Sequence, residues 1–224
     1  MNTQLDPGKK PDECSESMGD ATLAKMDANG TEAKDLMETL VKHHVAITST
    51  LPVFEGDIAG RPPLRLAMLE AMSPAAREAY LYIRNRPADK PSRRDGAALF
   101  KRDMELERAF AAAGGLLIAG LDPTGNGGVV PGFGDQREIE LLVEAGFSPV
   151  EAIKIATLNG AIYLGRQDQI GSIAAGKNAD LVVVKGDPSA RISDVENVEI
   201  VFKDGVGYDS QKLLDSVKGR YGQY

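Results

Sequence analysis

Cysteine is almost missing from this chain. Of 224 residues only Cys14 carries a thiol, so neither a disulfide framework nor a thiolate metal cage can be built from it. Cys14 lies in a polar stretch with no histidine nearby and reads as an incidental thiol. Histidine is nearly as scarce, with His43 and His44 the only 2. Basic charge is short as well: 26 Lys and Arg stand against 33 Asp and Glu, for a formal charge of −7. That balance argues against nucleic acid or an anionic membrane as main partner, because both reward clustered cations. The one basic cluster, "KPSRRD" over 90–95, is brief and reads as a solvated loop. No apolar run reaches bilayer-spanning length, and "MNTQLDPGKK" lacks the apolar centre of a secretory signal. The expectation is a soluble chain, cytoplasmic by default.

What is present is enough sequence to bury a sizeable core. Residues 1–30 mix Asp, Lys, Gly, Ser and Pro without a period and read as loop or disorder. From Thr31 the pattern changes. "TEAKDLMETLVKHH" sets Ala33, Leu36, Met37, Leu40 and Val41 at helical spacing behind a threonine able to cap. "HVAITSTLP", 44–52, reads as a β-branched strand closed by Pro52, and helical patterns follow at 64–72, 74–85 and 95–113. The last of these stops at Gly114 and Gly115, as a helix C-terminus should. "LLIAGL", 116–121, suits a buried strand, and two helices come after it, the second with Ser148 as cap and Pro149 at its first position. Strands alternating with helices are the α/β signature. Past Gly165, short β-rich runs separated by Gly, Asn and Asp turns lead to an amphipathic helix near 210–220. The chain thus divides into a loop or disordered segment 1–30, an α/β part 31–165, a small β part 166–209 and a C-terminal helix 210–224.

The run "LLIAGLDPTG" places Asp122 where a buried strand must turn at the rim of a sheet. In parallel α/β folds the carboxyl ends of the strands build the active site. A carboxylate there can bind a metal, act as general base toward a metal-bound water, or cap the following turn, and from "DPTG" alone all three stand. The glycine-rich loop "GNGGVVPGFG", 125–134, has neither the ending of a P-loop nor the glycine spacing of a dinucleotide fingerprint, and reads as a rim loop. Arg137 and Glu138 follow it and could reach substrate, while Glu138 could equally cap the helix or answer its dipole.

Taken together, "GLDPTG", "EAIKIATLNGAIYLG" and "IGSIAAGKNADLVVV" resemble, in order and spacing, the C-terminal portion of the amidohydrolase superfamily, nearest to its imidazolonepropionase-like and prolidase-like branch. The resemblance runs from about Val41 to Tyr208. It implies a partial TIM-type (β/α)8 barrel, made of the last two barrel strands and their helices, with a remnant of the small composite β-sandwich. It also implies a metal-dependent hydrolase of C–N bonds in cyclic or peptide-like amides, with a divalent metal, zinc by expectation, and a small-molecule amide substrate. Asp122 would be the strand-eight aspartate, a metal ligand that also takes a proton from the attacking water. Thr48 and Thr50 would lie near the carboxyl end of strand seven.

The family's remaining metal ligands are a His-x-His pair on strand one, a bridging ligand on strand four and single histidines on strands five and six. His43 and His44 cannot replace them. They are adjacent, at the start of a strand, on the rim away from the active site. The expectations are therefore a chain truncated at the N-terminus, beginning after strand six, inactive alone and holding no metal tightly, with a homo-oligomer possible. The competing expectation is a non-catalytic fragment acting as scaffold or assembly piece.

Overall fold

The computed structural model describes residues 20–56, 58, 60, 61, 63–85, 96–123 and 129–222. Its first half runs α1 (Asp20–Lys25), α2 (Thr31–Lys42), β1 (Ala46–Ser49), α3 (Leu51–Glu55), α4 (Leu66–Ala71), α5 (Pro74–Arg84), α6 (Gly96–Ala112) and β2 (Leu116–Ala119). Then come α7 (Phe133–Glu144), α8 (Pro149–Lys154), a π-helical turn (Ile155–Asn159) and α9 (Gly160–Tyr163). The chain closes with β3 (Leu181–Val184), a 3-10 turn (Ile192–Glu196), β4 (Val198–Lys203), β5 (Val206–Asp209) and α10 (Ser210–Val217).

Among the described residues β1 pairs with β2 in parallel, in a register that sets Ala46 opposite Leu116 and Ser49 opposite Ala119. Both strands are launched by the same device. α2 ends with Val45 N–H on Leu40 O and His44 N–H on Val41 O, both at 3.0 Å, and α6 ends with Gly115 N–H on Phe110 O and Gly114 N–H on Ala111 O, also at 3.0 Å. These are Schellman caps, which need a left-handed residue after the last helical turn. Gly114 supplies it at φ 89° and His44 at φ 53°. The second histidine thus turns the chain into β1 and, like His43, is exposed.

The core gathers on one face of this pair. Leu117 of β2 packs with Phe110 and Phe100 of α6, Leu51 of α3, and Leu141 and Leu142 of α7. Gly115 has no side chain because a Cβ there would stand 2.3 Å from the ring of Phe110. The Ser148 hydroxyl accepts the Glu151 amide to cap α8 with Pro149 in its first turn, as the sequence predicts. The helix predicted from 149 onward is interrupted by the π turn, from which Asn159 Nδ2 donates to Leu117 O at 2.7 Å. The strand's slanted parallel ladder leaves that carbonyl facing away from β1, and the amide satisfies it.

A second core joins Met68, Met72, Tyr80 and Val130. The C-terminal tail reaches back to it, with Tyr221 N–H on Ala71 O at 3.0 Å and Ser73 N–H on Tyr221 O at 2.9 Å. β3, β4 and β5 form an antiparallel sheet in that order.

Three expectations change. Asp20–Lys25 are helical, not loop, because Met26 and Ala33 are buried beside Leu106 and draw the preceding segment onto the fold; residues 1–19 lie outside the described residues. Thr31 is the first residue of α2 and not its cap, which is Gly30, without a side-chain hydrogen bond. The strand predicted over 44–52 is only Ala46–Ser49, since His44 completes the helix cap and Leu51 already begins α3. No described helix is long and apolar enough to cross a membrane.

Val182, Val183, Ile200, Val206 and Tyr208 are all exposed on the antiparallel sheet, and β3 and β5 are its open edges. Such edges and faces favour pairing between copies. The chain is expected to self-associate in solution, read as a sedimentation coefficient that rises with concentration; a monodisperse monomer across the range would refute this.

Candidate functional site

The carboxyl ends of β1 and β2 lie level, tied by Gly120 N–H to Ser49 O at 2.8 Å. Alternation along β1 turns Ile47 and Ser49 toward the helices and leaves Thr48 exposed on the other face. Gly120 lets that face close up, because a Cβ there would stand 2.7 Å from Thr48 Cγ2. Thr50 follows as the residue before α3 and is half-buried.

Asp122 stands three residues beyond the end of β2, exposed, at φ 44°. A non-glycine residue there is uncommon, and aspartate is among those that tolerate it best. Its position is fixed from below. Gly134 in the first turn of α7 would, with a Cβ, stand 2.9 Å from Leu121 Cδ1 and 2.6 Å from Val129 Cγ1. The residues on both sides of the rim loop therefore close over a glycine. Residues 124–128 of that loop lie outside the described residues.

Beside this rim the structure places a charge network that the sequence reading did not identify. Glu55, the last residue of α3, is fully buried. Arg137 of α7 donates to both of its oxygens, Nη2 to Oε1 at 2.7 Å and Nε to Oε2 at 3.0 Å. Arg61 Nε adds a third bond to Oε1 at 2.8 Å, and Arg61 also grips Glu144 with two bonds of 2.9 and 2.7 Å. Hydrogen bonding to Arg61 holds the Glu144 carboxyl below the usual range, and Arg61 is correspondingly raised. Arg137 is raised as well, its bonds to Glu55 and Glu140 outweighing burial. Arg65 spans the neighbouring gap, donating to Gln136 at 2.7 Å and contacting Glu140 and Glu196. Glu196, on the 3-10 turn, is pushed up to about 7, chiefly by burial and then by its hydrogen bond to Glu140.

Pro52, Pro63, Met68, Val130 and Phe133 wall a small cleft, open to solvent, over Glu55, Arg65 and Arg137. Every one of those three polar groups already has its partners inside the fold. Asp122 is not among the residues that line it.

Of the residues singled out by sequence, Asp122, Thr48 and Thr50 do come to one rim. Arg137 does not reach toward solvent but serves Glu55. Glu138 neither caps nor answers the helix dipole: Asp135 does the capping, accepting Gly132 N–H at 2.9 Å, and Glu138 is buried at 1% exposure. A signal for this exists, since Glu138, Leu141, Leu142 and Ala145 share one helical stripe. Glu55 carries no such signal, being a single acid after "LPVF". Among the described residues no three His, Cys, Asp or Glu gather as a metal-binding group.

A parallel strand pair backed by helices, with a carboxylate just past its carboxyl end, is an α/β frame. Residues 105–207 match the Amidohydrolase family. The imidazolonepropionase of Clostridium tetani is 34% identical over 118 residues, covering 49% of this chain and 26% of that protein. The adenine deaminase of Klebsiella pneumoniae is 56% identical over 45 residues, 20% of this chain and 7% of the enzyme. A prolidase crystallised with N-methylphosphonate-L-proline has a similar fold, with a TM-score of 0.55 and 22% identity over 79% of this chain and 38% of its own. The chain thus spans a minor part of the length of each.

The buried Glu55 charge makes a direct test. Replacing Arg137 with Met leaves that carboxylate with Arg61 alone, and R137M should cost about 3 kcal/mol in urea unfolding. The R137M/E55Q double variant should recover at least half of the loss; equal losses would mean that packing, not charge, dominates.

Proposed function

We propose that this chain forms the last two strands and carboxyl rim of a metal-dependent amidohydrolase barrel, with β3–β5 as a remnant of its β-sandwich, in an enzyme that hydrolyses a C–N bond of a small cyclic or peptide-like amide. The observation that carries the reading is Asp122, held in a left-handed conformation just past β2 within the segment that matches the family. In this reading its carboxylate is the proton acceptor at the rim, and Thr48 is placed to touch substrate. Relatives named deaminase and imidazolonepropionase support C–N chemistry on this frame.

The metal does not fit what the described residues offer. A catalytic site of this kind takes several preorganised ligands around the ion, and here one rim carboxylate stands without two further His, Cys, Asp or Glu. No step is therefore assigned to a metal held by these residues, and the chain alone is expected to be inactive. The same observation favours the second reading, a non-catalytic fragment with a scaffold or assembly role.

Two measurements separate the possibilities. After incubation with zinc and dialysis, the chain is expected to retain far less than one equivalent, by metal analysis; stoichiometric retention would point to a site assembled between copies. Asp122→Asn keeps a residue suited to positive φ and removes only the charge. D122N should change unfolding stability by less than about 0.5 kcal/mol, whereas a loss above about 1.5 kcal/mol would assign the carboxylate to capping its own turn.

A further inference from the structure

Beneath the rim, on the helix side of the sheet, lies a buried acid pair outside both the Glu55 network and the proposed reaction. Ser49, the last residue of β1, is fully buried and donates its hydroxyl to Glu107 Oε2 of α6 at 2.9 Å. Glu138 of α7 is 1% exposed, and neither of its carboxyl oxygens has a hydrogen-bond partner of normal geometry. The groups turned toward it are the Ser49 hydroxyl, the Leu51 amide at the start of α3, and Glu107.

Among the described residues no cation answers these acids. The further charges that act on the pair are Asp103 of α6 and Asp135 of α7, both acidic. Arg137, next along α7, is committed to Glu55. β1 and β2 contain no titratable residue. As an ion Glu138 would have only the Ser49 hydroxyl and the Leu51 amide, neither at normal hydrogen-bond geometry, and no counter-charge, which costs a buried carboxylate far more than a neutral acid. A carboxylic acid, unlike a carboxylate, can also donate, and Ser49 Oγ has acceptor capacity left after giving its own proton to Glu107.

We propose that Glu138 is held as the neutral acid and closes a chain, Glu138 O–H to Ser49 Oγ and Ser49 O–H to Glu107, that latches α6 and α7 onto the carboxyl end of β1 and is released by alkali. On release the Glu138 proton passes to hydroxide, giving water, and two carboxylates are left facing each other without a proton between them. Burial raises Glu138 to about 8 and Glu107 to about 7, in keeping with that arrangement. Both lie above the ordinary glutamate value, so the folded state holds protons that the opened state gives up. The latch is therefore complete in acid and is lost as pH rises through neutrality toward 8. The released strand end carries Ser49, Thr50 and, through its bond to Gly120, the approach to Asp122.

Hydrogen exchange of the full chain tests this. After correction for hydroxide catalysis, the opening constant of β1 and α7 amides should rise about tenfold per pH unit for each proton lost, from about pH 5.5 to about 7.5. E138Q, which keeps a donor but cannot ionise, should lower that slope by one proton's share. Equal slopes in E138Q and wild type would overturn the latch. Should E138Q not fold, the infrared spectrum of the glutamate-labelled E196Q variant, which removes the other raised glutamate, decides: a protonated carboxyl band at neutral pH that bleaches with alkali is expected, and its absence at neutral pH refutes the proposal.

Discussion

Two parallel strands cannot be joined by a tight turn, and everything in this structure follows from meeting that constraint. The chain leaving Ser49 must travel back along the sheet before Leu116 can run beside Ala46. It does so through α3, α4, α5 and α6, and a crossover of that kind covers one face of the sheet. The core of Leu51, Phe100, Phe110, Leu117, Leu141 and Leu142 is the seam where this return path and α7 meet the strands. The same geometry brings both carboxyl ends to one rim, where a functional residue can stand free of the packing beneath it.

An acidic chain folding this way must bury some of its carboxylates, and it does so in two physically opposite ways. Glu55 is paired, two guanidiniums supplying three hydrogen bonds to it. Glu138 meets no cation, and burial favours its neutral form. Glu144 and the buried acid pair respond to pH with opposite signs. Glu144, held low by Arg61, contributes stability that is lost as pH falls, whereas Glu138 and Glu107 contribute stability that is lost as pH rises. Maximal stability should thus lie between these limits, in the mildly acidic to neutral range.

The relation to amidohydrolases rests on sequence over 105–207 and on fold more widely. What the solved prolidase shares with the chain is the fold. Chemistry on that fold needs groups converging from several strands, and the described residues contribute one carboxylate and the threonines beside it.

The sequence by itself determined the elements whose cause is local: the capped start of α8 at Ser148 and Pro149, the stop of α6 at Gly114, a buried strand from Leu116, read over 116–121 and ending at Ala119, and a carboxylate beyond it. Each depends on residues a few positions apart, so a linear reading captures it. Tertiary structure alone decided the rest. That "AITS" pairs with "LLIA" in one register, that Arg137 turns to Glu55 and not to solvent, that His44 takes a left-handed cap usually given to glycine, and that Glu138 meets Ser49 in the dark are all consequences of distant segments packed together. A charge reads as surface in sequence because exposure is its lowest-energy state alone. Only the fold decides which buried acid is given guanidiniums and which is left to burial alone.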